Sequence, residues 1–305
     1  MSFSSRTATG LLLLAVLVAA AQALPVASAA APAPPQRVVS LAPSVTETLF
    51  ALGFGDRLVG VTTYCDYPAG ARKIPRIGGF MNPSLEAILA RRPDLVLGVV
   101  GATDPVTAGG MRRLGLRVDL ISLGSVSDIL SAVKSIARLL GNPDAGEELA
   151  RRIARQIDRV KRRVAPAPRR STLLVVGLRP LIAVGGKNFI DELITLAGGR
   201  NVAGSAPQPW LNLPDEYVVA RAPEVIIEAG MGSERAESWR HWRDLGSIPA
   251  VKEGRVYSYP SDKILRPGPR IGEGLEEIAR LVHPECFARS SGRNRGETAC
   301  ESSRP

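Results

Sequence analysis

Histidine is nearly missing from this 305-residue sequence; His241 and His283 are the only two. His241 sits among Trp239, Arg240, Trp242 and Arg243, and His283 precedes Pro284, where a histidine serves as the partner of a helix C-terminus. Neither neighbours a Ser or Cys elbow. No Gly-x-Ser-x-Gly, Walker loop or His-Glu-x-x-His segment is present. A histidine-based catalytic centre or a dedicated zinc or manganese site is therefore not expected, since each needs several converging ligands or bases. Cysteine is equally sparse. Three residues, Cys65, Cys286 and Cys300, cannot make a disulfide framework, and nothing in the sequence supplies a base for Cys65 as a nucleophile. Cys286 and Cys300 either pair in an oxidising compartment or stay as unpaired thiols. Aromatic residues make up 5% of the chain. The net charge of +10 is carried by scattered arginines with no aromatic-basic platform, so it reads as solvated surface and not as a nucleic-acid footprint.

Long apolar runs are absent except at the start. Arg6 is the only charge before Leu11 to Ala21, a run too short to span a bilayer and of the length of a signal-peptide core. Ala21-Gln22-Ala23 and Ala27-Ser28-Ala29 both offer small-x-small cleavage sites. The reading is a signal peptide over 1–29, an extended Pro/Ala leader over 30–36, and export to the periplasm. No Cys lies near the cleavage region, so a free soluble protein is expected and not a lipid-anchored one. Residues 287–305, rich in Ser, Gly and Arg, read as a disordered tail.

What is present is alternation. Arg37 to Leu41, Leu58 to Val61, Leu95 to Val99 and Val118 to Ser122 read as buried strands separated by helix signals, with Ser44 as the cap of a helix ending near Gly53. A second set follows: Leu173 to Val176, Leu181 to Val184, Val225 to Ile227 and Val256 to Tyr259. Between them Leu149, Ile153, Ile157, Val160 and Val164 recur at helical spacing until Pro166 and Pro168. The expected fold is α/β with parallel sheets: one lobe over 37–143, a stiff linking helix over 144–165, and a second lobe over 166–286. The lobes share an ungapped repeat, Ser84 to Leu97 on Pro214 to Ile227. Its Glu, Ala, Arg and Pro positions are identical, so the lobes are expected to be pseudo-symmetric, with a ligand cleft between them.

Several of the few aromatics fall between elements. Tyr64 and Tyr67 follow a strand, Phe80 follows Gly78-Gly79, and Trp210 lies in what reads as a loop after Pro207-Gln208-Pro209. Any one ring suits a local core or a cleft equally well. Tyr64 and Trp210 together favour a cleft beyond the carboxyl ends of the strands, facing a large, flat, mostly apolar ligand.

Val38-Val39-Ser40-Leu41-Ala42-Pro43-Ser44-Val45-Thr46-Glu47 resembles the opening of the helical-backbone class of periplasmic substrate-binding proteins, which serve ABC importers of vitamin B12, ferric siderophores and haem. Tyr64-Cys65-Asp66-Tyr67-Pro68 is similar to the motif of the vitamin B12-binding members. Leu85-Glu86 through Pro93-Asp94-Leu95-Val96 and Asp262 through Arg270 also resemble family segments, so the likeness runs from about Arg37 to Pro284. It implies a monomeric, non-enzymatic carrier with no cofactor or metal of its own. The transported ligand is then cobalamin or a related corrinoid. It also implies that Tyr64, Phe80, Trp210, Asp262 and Arg266 line the cleft. Glu86 and Glu216 are implied to dock onto arginines of a dimeric permease. Phe80 and Val99 depart from the pattern, since Trp is common at both positions. Two alternatives remain: a ferric siderophore or haem carrier, with Arg266 meeting a carboxylate or catecholate and Tyr64 a haem, and an exported enzyme modifying corrinoids or tetrapyrroles. Asp262 and Arg266 can also simply pair with each other.

Overall fold

Four short aliphatic runs form β1 (Val38–Ser40), β2 (Leu58–Val61), β3 (Leu95–Val99) and β4 (Val118–Ile121) in the computed structural model, which describes residues 33–230 and 240–288. The signal peptide expected over 1–29, residues 30–32 of the leader, and the tail from 289 onward with Cys300 lie outside the described residues. The four strands are parallel, in the order β2-β1-β3-β4. A parallel sheet has to be covered on both faces, and strand alternation shows that it is. Val38, Leu95 and Leu97 face one core, while Val39 and Val96 face another with Ile77, Ile88 and Met111.

The helix after β1 spans Pro43–Ala51 with Ala42 as its N-cap. Ser44 is not the cap; it is buried inside the first turn. Pro43 decides this, because its fixed φ suits the first helical position and it has no N–H to satisfy.

The second sheet contains β5 (Arg170–Leu178), β6 (Leu181–Val184), β7 (Gly199–Asn201), β8 (Trp210–Asn212), β9 (Val225–Glu228) and β10 (Val256–Ser258). Its order is β10-β9-β5-β6-β8, with β7 beside the start of β5. Contrary to the parallel expectation, this sheet is mixed: β6 runs antiparallel to β5, and β8 antiparallel to β6. Only Arg179 and Pro180 separate Leu178 from Leu181, and so short a connection reaches only an antiparallel neighbour. Trp210 accordingly starts a strand, opposite Val184, and does not sit in a loop.

The connecting helix runs Pro143–Val164, started by the Asn142 side chain accepting the Ala145 amide. At 1.5 Å per residue it is about 33 Å long. Its buried stripe, Leu149, Ile153, Ile157, Val160 and Val164, belongs to one continuous core that holds Val38 and Leu97 from the first sheet and Leu174 and Ile227 from the second. Each fully buried aliphatic side chain there contributes about 1.5–3 kcal/mol. The connection is therefore packed along its length.

The repeat is structural as well as sequential. Each copy is a short helix, Leu85–Ala90 or Asp215–Arg221, followed by a turn through a left-handed residue (Arg92, φ 47°; Ala222, φ 45°) into a central strand. The next acid clamps the strand that opens its own sheet. Asp94 accepts from the Gln36 and Arg37 amides, and Glu224 from the Ser171 amide at 2.7 Å.

Candidate functional site

The elements around the cleft end where their strands end. The turn after β2 carries Tyr64, Cys65, Asp66 and Tyr67. Arg76 pins it by donating to the Thr62 and Cys65 carbonyls at 2.9 and 2.8 Å. Cys65 is buried and free, against the hydroxyls of Thr46 and Thr62, a core thiol that does not reach solvent. Phe80 sits at the tip of a loop closed at Gly78, whose φ of 104° and contact with the Ser84 amide leave no room for a side chain. From the other half, β10 leads into a short helix, Asp262–Leu265, with Arg266 at its C-cap. Arg270 then starts the last helix, Ile271–Val282.

These segments border a cavity of about 440 Å³, lined by Tyr64, Phe80, Met81 and Val99 on one side and by Asp262, Leu265 and Arg266 on the other. That lies within the range for small-molecule pockets, and the lining is mainly apolar. Tyr64 is 58% exposed. Four of the five residues expected at the cleft therefore share one cavity. Trp210, 46% exposed on β8, is not among the residues lining it.

Arg266 enters the wall already paired. Its guanidinium meets Asp66 at 2.7 Å, Asp262 at 3.0 Å and Glu47 at 3.2 Å. Arg270 grips Glu47 in a two-pronged contact, 2.7 Å from Nε and 2.7 Å from Nη2, and lies 3.9 Å over the Tyr67 ring. Glu47 is 2% exposed. Three carboxylates thus face two guanidiniums, and all the contacts but Asp262–Arg266 join residues 200 or more positions apart. Burial works against both guanidinium charges, but the carboxylates overcome it and raise both pKa values. On the other side of the cluster Glu47, Tyr67 and Arg270 border a second, polar recess with Arg152, Gln156 and Glu273. The sequence reading anticipated the Asp262–Arg266 pair but missed Glu47, Asp66 and Arg270. The available signal was Glu47 itself, a carboxylate between Val45 and Leu49 on the buried face of a helix, where a charge needs a partner.

Asp66 gives the cluster a pH dependence. Burial pulls its carboxyl upward, but the Arg266 hydrogen bond and charge outweigh this and hold it below its ordinary value. A depressed carboxylate stabilises the fold above its unfolded pKa and loses that contribution as pH falls through the folded value. Stability measured by thermal melting is expected to fall below about pH 4, and less steeply in Asp66→Asn. Equal slopes in the two proteins would remove Asp66 from the acid response.

Neither histidine lines the cavity. His283 is wholly buried at the C-cap of the last helix, between Glu285 at 3.1 Å and the Gly198 carbonyl at 3.2 Å. His241 lies 3.5 Å from Asp215. Among the described residues, no three His, Cys, Asp or Glu side chains converge as a metal site, and no helix is long and apolar enough to cross a membrane. Glu86 and Glu216 are exposed in the first turns of the two repeat helices, away from the cavity lining.

The sequence pattern of the periplasmic binding protein family matches residues 38–263. The vitamin B12-binding protein of Vibrio parahaemolyticus is 28% identical over 245 residues, covering 80% of this chain and 88% of the relative. Among solved structures, the periplasmic haem-binding protein RhuT of Roseiflexus superposes with a TM-score of 0.75 at 27% identity, over 82% of this chain and 99% of that one. The periplasmic vitamin B12-binding protein BtuF of Vibrio cholerae gives 0.74 at 24% identity, over 83% and 98%, a likeness of fold. With its two α/β lobes on a packed helix and the family pattern running across both, this chain belongs to the periplasmic binding proteins.

Proposed function

We propose that the chain captures vitamin B12 or a related corrinoid in the cavity at Tyr64, Phe80, Asp262 and Arg266 and hands it to an ABC permease through Glu86 and Glu216. It does so as an exported periplasmic protein with residues 1–29 removed, and it carries out no chemistry on its ligand. The observation that carries the ligand assignment is the state of Arg266. Its charge is matched by Asp66, Asp262 and Glu47, so the wall offers the Asp262 carboxylate as an acceptor and no spare cation. A siderophore carboxylate or a haem propionate would have to break those pairs. The amide-rimmed, uncharged edge of a corrin donates to Asp262 directly, while its flat face lies on Tyr64 and Phe80.

Haem is the second reading, favoured by the exposed Tyr64 at the cavity and by the haem-binding relative at 27% identity. Titration of the purified mature protein with cyanocobalamin and, in parallel, haemin, followed by absorbance and calorimetry, separates the two. Saturable one-to-one corrinoid binding, with the ligand recovered unchanged, is expected. Haemin uptake with a spectrum altered by Tyr64→Phe, and no corrinoid binding, would replace the corrinoid by haem. Chemical alteration of the recovered ligand would restore an enzymatic role. Phe80→Ala is expected to weaken corrinoid binding by about 2 kcal/mol, and Trp210→Ala, whose ring stands on β8 outside the cavity lining, by less. An unchanged affinity in the second variant takes Trp210 out of the site.

A further inference from the structure

The two repeat helices carry more in common than their glutamates. Leu89 and Val219 occupy the same repeat position and are exposed to the same degree, 38%. The next residue in each, Ala90 or Ala220, is also exposed. Glu86, Leu89 and Ala90 stand at i, i+3 and i+4, as do Glu216, Val219 and Ala220, so each helix shows solvent one narrow stripe with an acid at its N-terminal end. The following segments have diverged in burial: Pro93 is half-buried and Pro223 buried. Over 84–90 and 214–220 the pattern of exposed and buried positions is the same throughout, the stripe included. Nothing in the fold needs an aliphatic side chain there, because Ile88 and Val218 already fill the inward position of each helix.

Resting on the docking role of Glu86 and Glu216, we propose that each stripe is one complete contact for the permease. Leu89 and Val219 seat in apolar recesses beside the cation that receives the glutamate. Two copies of one stripe call for a partner that presents one complementary patch twice, a homodimer. The charge fits as well. On a chain of net charge +10, an exposed acid at the head of each stripe gives a basic patch a favourable place to land. The glutamate then steers and orients, and the aliphatic residue, once covered, slows dissociation.

The test is displacement of fluorescently labelled wild-type protein from spheroplasts of the source organism by unlabelled variants, which needs no transported ligand. Leu89→Ser and Val219→Ser are each expected to raise the half-displacing concentration about tenfold, and together about a hundredfold. The strongly exposed Val106→Ser should compete like wild type, and all variants should melt like wild type. Wild-type competition by L89S and V219S while E86A/E216A fails to compete would overturn the aliphatic contact and leave the glutamate docking in place. Full competition by E86A/E216A as well would overturn the docking itself, as would a lack of saturable binding by wild type. A wild-type dimer in sedimentation that L89S dissolves would assign the stripes to self-association instead and overturn the permease contact.

Discussion

Uptake of corrinoid by permease-bearing spheroplasts is expected to be abolished by Glu86→Ala together with Glu216→Ala, while the calorimetric affinity of the protein for its ligand stays at the wild-type value. Both carboxylates are exposed, and neither makes a hydrogen bond or ion pair with another described residue. In the first turn of a helix each adds at most about 1 kcal/mol through the helix dipole, too little to explain a lost activity by unfolding. A charged contact covered at an interface is worth about 2–5 kcal/mol when one partner is truncated. Losing two such contacts lowers docking by several orders of magnitude. Each single variant should lie between, because the two contacts act on one rigid carrier and the second still holds it. Weakened ligand binding in the double variant would instead place these glutamates in the cleft's mechanics and sink their docking role.

The repeat that places these glutamates was legible because it is local. Fourteen consecutive positions carry a helix, a Pro break and a strand, and each step has its own short-range signal. The connecting helix was legible for the same reason: Leu149 to Val164 repeat at helical spacing, and all five periodic residues are buried. The antiparallel half of the second sheet was less so. Its decisive clue, two residues between Leu178 and Leu181, is a matter of spacing and not of composition. Trp210 was read as a loop residue because Pro207 and Pro209 precede it, although the strand starts directly after them. The wall of the cleft was the least legible. Glu47 and Arg270 lie 223 residues apart, and no periodicity links such positions; only the requirement that a buried carboxylate be paired points from one to the other.

That pairing supports a second large effect. Glu47→Ala is expected to cost about 3–5 kcal/mol of stability, the range for removing one partner of a buried ion pair. At about 2 °C or more per kcal/mol for a chain of this size, the melting temperature should fall by roughly 10 °C. The loss falls mainly on Arg270. Arg266 keeps Asp66 and Asp262, whereas among the described residues Arg270 keeps only the Tyr67 ring beneath a guanidinium that is 13% exposed. Glu47→Gln retains the acceptor oxygen but not the charge and should lie between. The surface pair Glu276–Arg280, with both side chains over 40% exposed, is the control; Glu276→Ala should cost no more than about 0.5 kcal/mol. Replacing Glu47 and Arg270 together by Met removes the stranded charge as well as its partner, and should recover much of what Glu47→Ala loses. Recovery of stability with weakened corrinoid affinity would mean that the cluster's purpose is to hold the Arg266 wall in register with Tyr64 across the cleft. Recovery of both would mean that the apolar core along the connecting helix sets the lobe geometry alone. A Glu47→Ala protein that melts like wild type would show that Arg270 finds another partner, and would remove Glu47 as the anchor of the site.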